Sequence, residues 1–277
     1  MKDRTEHAVQ TLSLTKTFIK GKTKNCAVKD VNLKVEKGTI ASILGPTGCG
    51  KSVLLKIIGG IIPPTSGEIH LNGVPYKDGI PKEELHRVGF VFQKDNLLAW
   101  RTVEKNLLLP LEIMKLKSED MNERVLQMLD LVGLREYNKA LPHELSGGMK
   151  QRVALVRALM HNPDIVLMDQ PFGALDEITR RMLTYEFINI WKKTQKTFLI
   201  VTNSIDEALL LSKKIFVMGR SPGTIVFDLD VNIPYDMRTQ EITIDDYFLD
   251  LKAELRKWTT GDAIKEQSID MIKEQSI

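Results

Sequence analysis

Eight residues, Gly45-Pro46-Thr47-Gly48-Cys49-Gly50-Lys51-Ser52, follow the spacing G-x-x-x-x-G-K-[ST]. Glycine lets a backbone close around a polyanion with its N–H groups pointing inward, where a Cβ would hold the chain away. A helix beginning near Lys51 aims the positive end of its dipole at the same point. Lys51 adds a charge suited to the β and γ phosphates of a nucleoside triphosphate, and Ser52 adds a hydroxyl for Mg²⁺. Val53 belongs with them as the next residue of that helical turn. A second apolar run, Ile165 to Met168, ends in Asp169. A carboxylate there can order the shell of a Mg²⁺ ion. Many buried strands end in Asp, so Asp169 is informative only beside the glycine loop.

The flanking sequence supplies elements to hold these groups. Thr39 to Leu44 reads as a buried strand and Lys51 to Ile58 as an apolar helix closed by Gly59 and Gly60. Strand, glycine loop and helix together predict an α/β fold. Upstream, Val28, Val31, Leu33 and Val35 show strand-like alternation. Glu68 to Leu71 leads into Asn72-Gly73, a hairpin signal. After a strand at Val88 to Phe92 the pattern turns helical up to about residue 160. Met121, Val125, Met128, Leu129 and Val132 recur at helical spacing, with Ser118 as N-cap and Glu119 and Asp120 in the first turn.

The α/β pattern then resumes. It predicts a helix over Glu177 to Thr194 with Leu183, Phe187, Ile190 and Trp191 inward, and a strand over Thr197 to Thr202. Ser204 to Glu207 reads as a capping box. A strand at Lys214 to Met218 and a hairpin around Ser221, Pro222 and Gly223 follow. The expected organisation is a nucleotide-binding domain over residues 1–230, with a helical subdomain inserted at about 94–157. A helical or partly disordered extension over 231–277 follows. It carries IKEQSI at 264–269 and again at 272–277, too few copies for a solenoid.

Composition narrows the classes. The chain has 277 residues, 43% hydrophobic and 27% charged, enough for a sizeable core. A net charge of +3 gives no warrant for nucleic-acid binding. Cys26 and Cys49 have no metal-ligand spacing, and a reduced cytosolic chain is expected. The opening MKDRTEHAVQ has no apolar stretch of a signal peptide. No apolar run approaches the about 20 residues of a membrane span. Any membrane role is therefore expected to come through a partner.

Leu145-Ser146-Gly147-Gly148-Met149-Lys150-Gln151-Arg152 resembles the LSGGQ signature of ABC ATPases. Two glycines at a helix start expose N–H groups that suit an anion. Other motifs resemble that family across roughly residues 10–230. Phe18 matches the aromatic that stacks on adenine, Gln93 the Q-loop glutamine that touches Mg²⁺ and the membrane partner, and Ala174-Leu175-Asp176 the D-loop. Asn96 to Val103, Pro171 to Asp176 and Val217 to Gly223 resemble the nitrate, sulfonate and taurine importer group.

The resemblance implies a P-loop NTPase (RecA-like) core with an N-terminal antiparallel β portion and the inserted helical lobe. It implies MgATP held between the phosphate loop of one chain and the signature of a second in a head-to-tail dimer. The implied partners are transmembrane permease subunits, a second ATPase subunit and a periplasmic or lipoprotein solute-binding protein. The implied place is the cytoplasmic face of the membrane, and the solute a small anionic or organic molecule. Gln93 to about Leu109 would line the groove for the permease.

Two positions depart from the family pattern, and both are catalytic. Gln170 stands where a glutamate follows the Mg²⁺ aspartate, and Asn203 where a histidine follows Val201-Thr202. Gln170 can orient water but has no basic site, and Asn203 can donate a hydrogen bond but carries no charge. The resemblance then implies a chain that binds ATP and lends its signature but hydrolyses poorly, as one half of a heterodimer. A homodimer with two weak sites, an active ATPase that tolerates both changes, and a non-hydrolytic ATP-gated scaffold are the alternatives. An engineered glutamate-to-glutamine trap is a further alternative that accounts for Gln170 and less readily for Asn203. Soluble ABC proteins of translation or repair usually carry two cassettes or a long coiled coil, and this chain shows one cassette and no sustained heptads. The fold leaves export as open as import.

Overall fold

Val9, Leu14, Val28, Val31, Leu33 and Val35 are buried on one face of a long hairpin, β1 (His7–Lys20) and β2 (Thr23–Glu36). Val28 and Val31 are three residues apart and still share that face. Asp30 takes φ 50° between them, and the pairing register slips there, as in a β-bulge. This computed structural model describes residues 6–116, 120–220 and 222–260. Next come β3 (Ile40–Leu44), α1 (Lys51–Ile58), β4 (Ser66–Leu71) and β5 (Val74–Tyr76). Asn72 and Gly73 turn the last pair with φ 50° and 84°, the two left-handed residues of a type I′ hairpin. Strands β1, β2, β4 and β5 form one antiparallel sheet in the order β2-β1-β4-β5.

The chain continues through β6 (Val88–Val91), α2 (Val103–Ile113), α3 (Met121–Leu131), α4 (Gly147–Leu159) and β7 (Ile165–Asp169). It ends with α5 (Glu177–Thr194), β8 (Thr197–Thr202), α6 (Ile205–Leu211), β9 (Lys214–Met218), β10 (Ile225–Asp230) and α7 (Asp246–Thr260). The second sheet runs β10-β9-β3-β8-β7-β6, parallel throughout except where β10 meets β9. Every residue of β3, β7 and β8 is buried, as a parallel sheet covered on both faces requires.

Helices α2, α3 and α4 share a core of Leu107, Val125, Leu129 and Val153 that runs on without a break into Val166, Met168 and Phe198 of the sheet. The expected N-cap Ser118 and its neighbour Glu119 lie outside the described residues, as do Ser221 and both IKEQSI copies. Asp120 occupies the N-cap position of α3 rather than its first turn, where Glu123 is the acid. Among the described residues no helix is long and apolar enough to cross a membrane.

Past β10, Ile233, Phe248, Leu251 and Leu255 close over α6 and β9. Arg238 ties this segment down from a buried position. Its Nη1 donates to the carbonyls of Leu209, Leu210 and Ser212, and its Nε and Nη2 donate to that of Ile233. These include acceptors that the end of α6 leaves unpaired. Burial lowers its pKa to about 10, with the adjacent Tyr235 opposing, so the guanidinium stays charged at neutral pH. Arg238→Met should cost about 2–4 kcal/mol by orphaning those carbonyls. Urea unfolding at neutral pH measures the loss.

Candidate functional site

Strands β3, β8 and β7 lie side by side and end on one edge of the sheet. Ligands of open α/β sheets bind outside the carboxyl ends of the strands. The glycine loop leaves β3 there, Asp169 ends β7 with Gln170 next to it, and Asn203 follows β8. The Ser52 hydroxyl donates to Asp169 Oδ1 at 2.8 Å. Asp169 is only 5% exposed, so its charge has little water to stabilise it. A hydroxyl and a buried carboxylate converging in this way are hard oxygen donors that fit Mg²⁺.

The loop is built to hold an anion. Gly48 and Gly50 take φ 84° and 106°, which turns successive N–H groups to one side. Gly50 is the N-cap of α1 and offers no side-chain acceptor. The N–H groups of Lys51, Ser52 and Val53 are thus left for a ligand. Lys51 is buried, and its ammonium donates to the carbonyls of Gly45 at 2.7 Å and Pro46 at 2.8 Å. Burial lowers its pKa, while Cys49 and Asp169 act to raise it. The Cys49 side chain is buried, with its sulfur 3.7 Å from that ammonium.

Other glycines shape the loop from behind. A Cβ on Gly50 would sit 2.5 Å from the Ala27 carbonyl, and one on Gly45 would sit 2.5 Å from that of Met218. A Cβ on Gly223 would stand 2.0 Å from the Cys49 carbonyl. Gly223 also donates to Ala27 O and accepts from Lys29 N. Met218 and Gly223 therefore form a floor under the phosphate loop, a role their sequence does not announce.

The two unusual residues touch each other. Asn203 Nδ2 donates to Gln170 Oε1 at 3.2 Å. Gln170 itself takes φ 46°, a left-handed conformation that costs a non-glycine residue of order 1 kcal/mol. Its N–H donates to Val201 O at 2.9 Å, which fixes the turn at the end of β7.

The capping box at Ser204 is only half made. Ser204 Oγ accepts from Glu207 N, but Ser204 N donates to the Thr202 hydroxyl at 3.0 Å, not to the Glu207 carboxylate. Thr202 reaches that N–H first, so the Glu207 side chain turns inward. It lines a cavity of about 390 Å³ with Gln170, Gly173, Arg180, Thr202, Asn203 and Ser204. The sequence gives no sign of Glu207 in the site, because its spacing from Ser204 reads as a cap.

The remaining expected residues are spread more widely. Phe18 is exposed on β1 opposite Asn25, with Lys16 Nζ 5.3 Å above its ring. Gln93 is exposed just beyond β6, and no hydrogen bond joins it to Ser52 or Asp169. Ser146 accepts from Met149 N and caps α4, so Gly147 and Gly148 open that helix. Their α-carbons face Leu175 and Thr179, and Ser146 and Gly147 are exposed. The signature thus lies against the start of α5 and makes no hydrogen bond to the phosphate loop of its own chain. Asp176 caps α5 by accepting from Thr179 N at 3.0 Å, and that bond holds its carboxyl below the usual range.

A family model described as ABC transporter matches residues 28–173. The chain belongs to this family. It is an ABC-type ATPase coupled to transport, built on the P-loop NTPase core. A taurine import ATP-binding protein of Jannaschia sp. is 43% identical over 199 residues, covering 72% of this chain and 72% of the relative. A nitrate import ATP-binding protein of Synechococcus elongatus is 38% identical over 234 residues, covering 83% of each. A dimeric ATP-binding cassette solved in a post-hydrolysis state with ADP and Pi superposes with a TM-score of 0.70 at 33% identity. It covers 82% of this chain and 100% of the other.

A further residue, Asn106, is not singled out by the sequence. It is fully buried, and its Oδ1 accepts from Leu98 N while its Nδ2 donates to the carbonyls of Leu98, Arg101 and Thr102. Arg157 clamps the preceding residues through the Asp95 and Asn96 carbonyls. Together they hold Trp100 out at 77% exposure. An apolar-helix pattern gives no hint of a polar residue acting as a loop anchor.

Gly223→Ala should drive a methyl into Cys49 O and deform the phosphate loop. Overpacking of this kind costs about 1–3 kcal/mol. Thermal unfolding should show that loss, and titration with MgATP should show affinity reduced roughly tenfold or more.

Proposed function

We propose that this chain is the ATP-binding subunit of an importer for a small anionic or organic solute, with its own hydrolytic site impaired. The observation that carries the proposal is the pairing of an intact triphosphate cradle with a neutral Gln170–Asn203 couple. The relatives named for taurine and nitrate import support the solute class. A sulfonate importer subunit of Bacillus cereus, 40% identical over 208 residues, supports it too.

In this reading ATP lies along the loop, with adenine on Phe18 and the phosphates under the N–H groups of residues 45–53. Lys51 bonds the β and γ phosphates in place of the loop carbonyls. Bound Mg²⁺ would supply neutralisation of the phosphate charge, held by Ser52 and Gln93, with Asp169 ordering its shell. Gln170 and Asn203 face the γ-phosphate and orient the attacking water. Neither takes its proton. Loss of a general base costs roughly 10²–10⁴-fold in rate, or about 3–5 kcal/mol.

The second wall of the nucleotide site comes from another ATPase subunit. Ser146, Gly147 and Gly148 present their free helix start outward, and Asp176 lies beside them, as a head-to-tail dimer requires. A second, different subunit carrying glutamate and histidine would then hydrolyse at the composite site that uses this chain's signature. Transmembrane permease subunits dock on residues 93–109, with Trp100 as an anchor. A periplasmic or lipoprotein solute-binding protein delivers the solute, and the chain sits peripherally at the cytoplasmic face of the membrane.

Turnover of the purified chain alone should be slow, and Gln170→Glu with Asn203→His should raise kcat by roughly 10²-fold or more. Brisk turnover by the unaltered chain would sink the impaired-site reading. Turnover absent from the restored double variant as well, with ATP binding intact, favours the ATP-gated scaffold. Asn106→Ala should release the loop around Trp100 and lower solute uptake by the assembled transporter at least about tenfold while leaving MgATP affinity unchanged. Uptake in membrane vesicles measures it.

A further inference from the structure

Glu207 is a carboxylate in an unusual place. It is 5% exposed and sits in the third position of α6, one turn beyond Asn203. Its Oε1 has no hydrogen-bond partner. A buried unpaired carboxylate oxygen is costly, and such groups call for an explanation. An ion pair does not supply it. Arg180, from α5, faces the same cavity but directs its Nε to Phe172 O and its Nη2 to Leu175 O. The neighbouring acid on α6, Asp206, turns the other way and pairs with Lys252 of α7. From β8 the Thr202 hydroxyl reaches Glu207. Gln170, Gly173, Asn203 and Ser204 complete the lining and carry no charge.

We infer that Glu207 accepts the proton released by the attacking water in this site, through water held in the cavity that it shares with Gln170 and Asn203. The inference rests on the reading that ATP binds at the loop and that Gln170 has left the site without a base. The water oxygen forms a bond to the γ-phosphorus, and the bond from that phosphorus to the β–γ bridging oxygen breaks, with ADP leaving on the electron pair. The proton of the water passes along the cavity water to the Glu207 carboxylate. Once phosphate has gone, Glu207 returns the proton to solvent by the same opening. Gln170 and Asn203 orient the water, and Glu207 acts at one remove from the substrate.

The environment suits the role. Burial raises the carboxyl pKa to about 7, with the Thr202 hydrogen bond and the Arg180 charge opposing. A general base is most effective with its pKa near the working pH. A fraction of Glu207 is therefore ionised at neutral pH and can take up a proton.

The test is the pH profile of slow turnover by the full chain with MgATP, between about pH 5.5 and 9. Turnover should rise with pH through a midpoint near 7 and then level off. Glu207→Gln should slow turnover by roughly 10–100-fold and remove that rise, with MgATP affinity unchanged. Adding Gln170→Glu to Glu207→Gln should bring turnover back, which also shows that the variant folds. An unaltered profile in Glu207→Gln overturns the inference. So does a double variant that binds MgATP and stays inactive, since Glu207 would then be needed by the structure itself. An unaltered chain with no turnover at any pH overturns it as well. A chain that fails to bind MgATP overturns the functional reading beneath it.

Discussion

The site depends on the parallel pairing of β8 between β3 and β7. Leu44 stands level with Thr202, and Asp169 stands level with Val201. The last residues of three strands therefore reach the sheet edge at one height. The glycine loop, Gln170 and Asn203 project from that edge into one small volume, although the first is more than 100 residues from the others. A slip of one residue in either pairing would turn the strand over and carry its chemistry to the wrong face. The buried side chains of β3, β7 and β8 make such a slip expensive.

On this scaffold the polar residues of the site conflict with their surroundings. Lys51 and Asp169 are charged and nearly without solvent, and Glu207 is a carboxylate pushed towards its neutral form. Each gives up hydration to be there. Lys51 takes partial compensation from loop carbonyls, and Asp169 takes it from the Ser52 hydroxyl. A triphosphate and a divalent cation match these two groups better than the protein does, because they carry full opposite charges. The desolvation spent in folding leaves both groups poised for ligands of opposite charge.

Much of the scaffold is legible in the sequence. Strands β3, β7 and β8 and helices α1 and α5 are strongly patterned, and their predicted bounds fall within about a residue of the observed ones. The glycine loop and Asp169 were legible because their chemistry demands fixed residue types at fixed spacing. What was not legible depends on contacts distant in sequence. Gly223 looks like a hairpin residue until the Cys49 carbonyl is found against it. Asn106 looks like a polar interruption in an apolar helix until its four bonds to the loop at Leu98, Arg101 and Thr102 are seen. Glu207 was misread for a local reason. Its spacing from Ser204 fits a capping box, and only the Thr202 hydroxyl, already bonded to Ser204 N, shows that the second half of the box is not made.

The hydrogen bond between Asn203 and Gln170 bears on how the two departures act together. Residues in direct contact do not contribute additively. With glutamine at 170 the amide oxygen accepts from Asn203, and its NH₂ group is left to face substrate or water. A glutamate there alone would accept the same bond with charge assistance through one carboxylate oxygen and keep the other for water. A histidine at 203 alone would offer Gln170 one ring N–H and keep its second nitrogen for the phosphate. Each single reversion therefore changes the geometry of its neighbour as well as its own chemistry. The phosphate cradle makes its own hydrogen bonds, Lys51 to the Gly45 and Pro46 carbonyls and Ser52 to Asp169, and does not share this bond. On the proposed reading, affinity for ATP rests on the cradle and the rate of hydrolysis on the Gln170–Asn203 couple, so hydrolysis can weaken without loss of nucleotide binding.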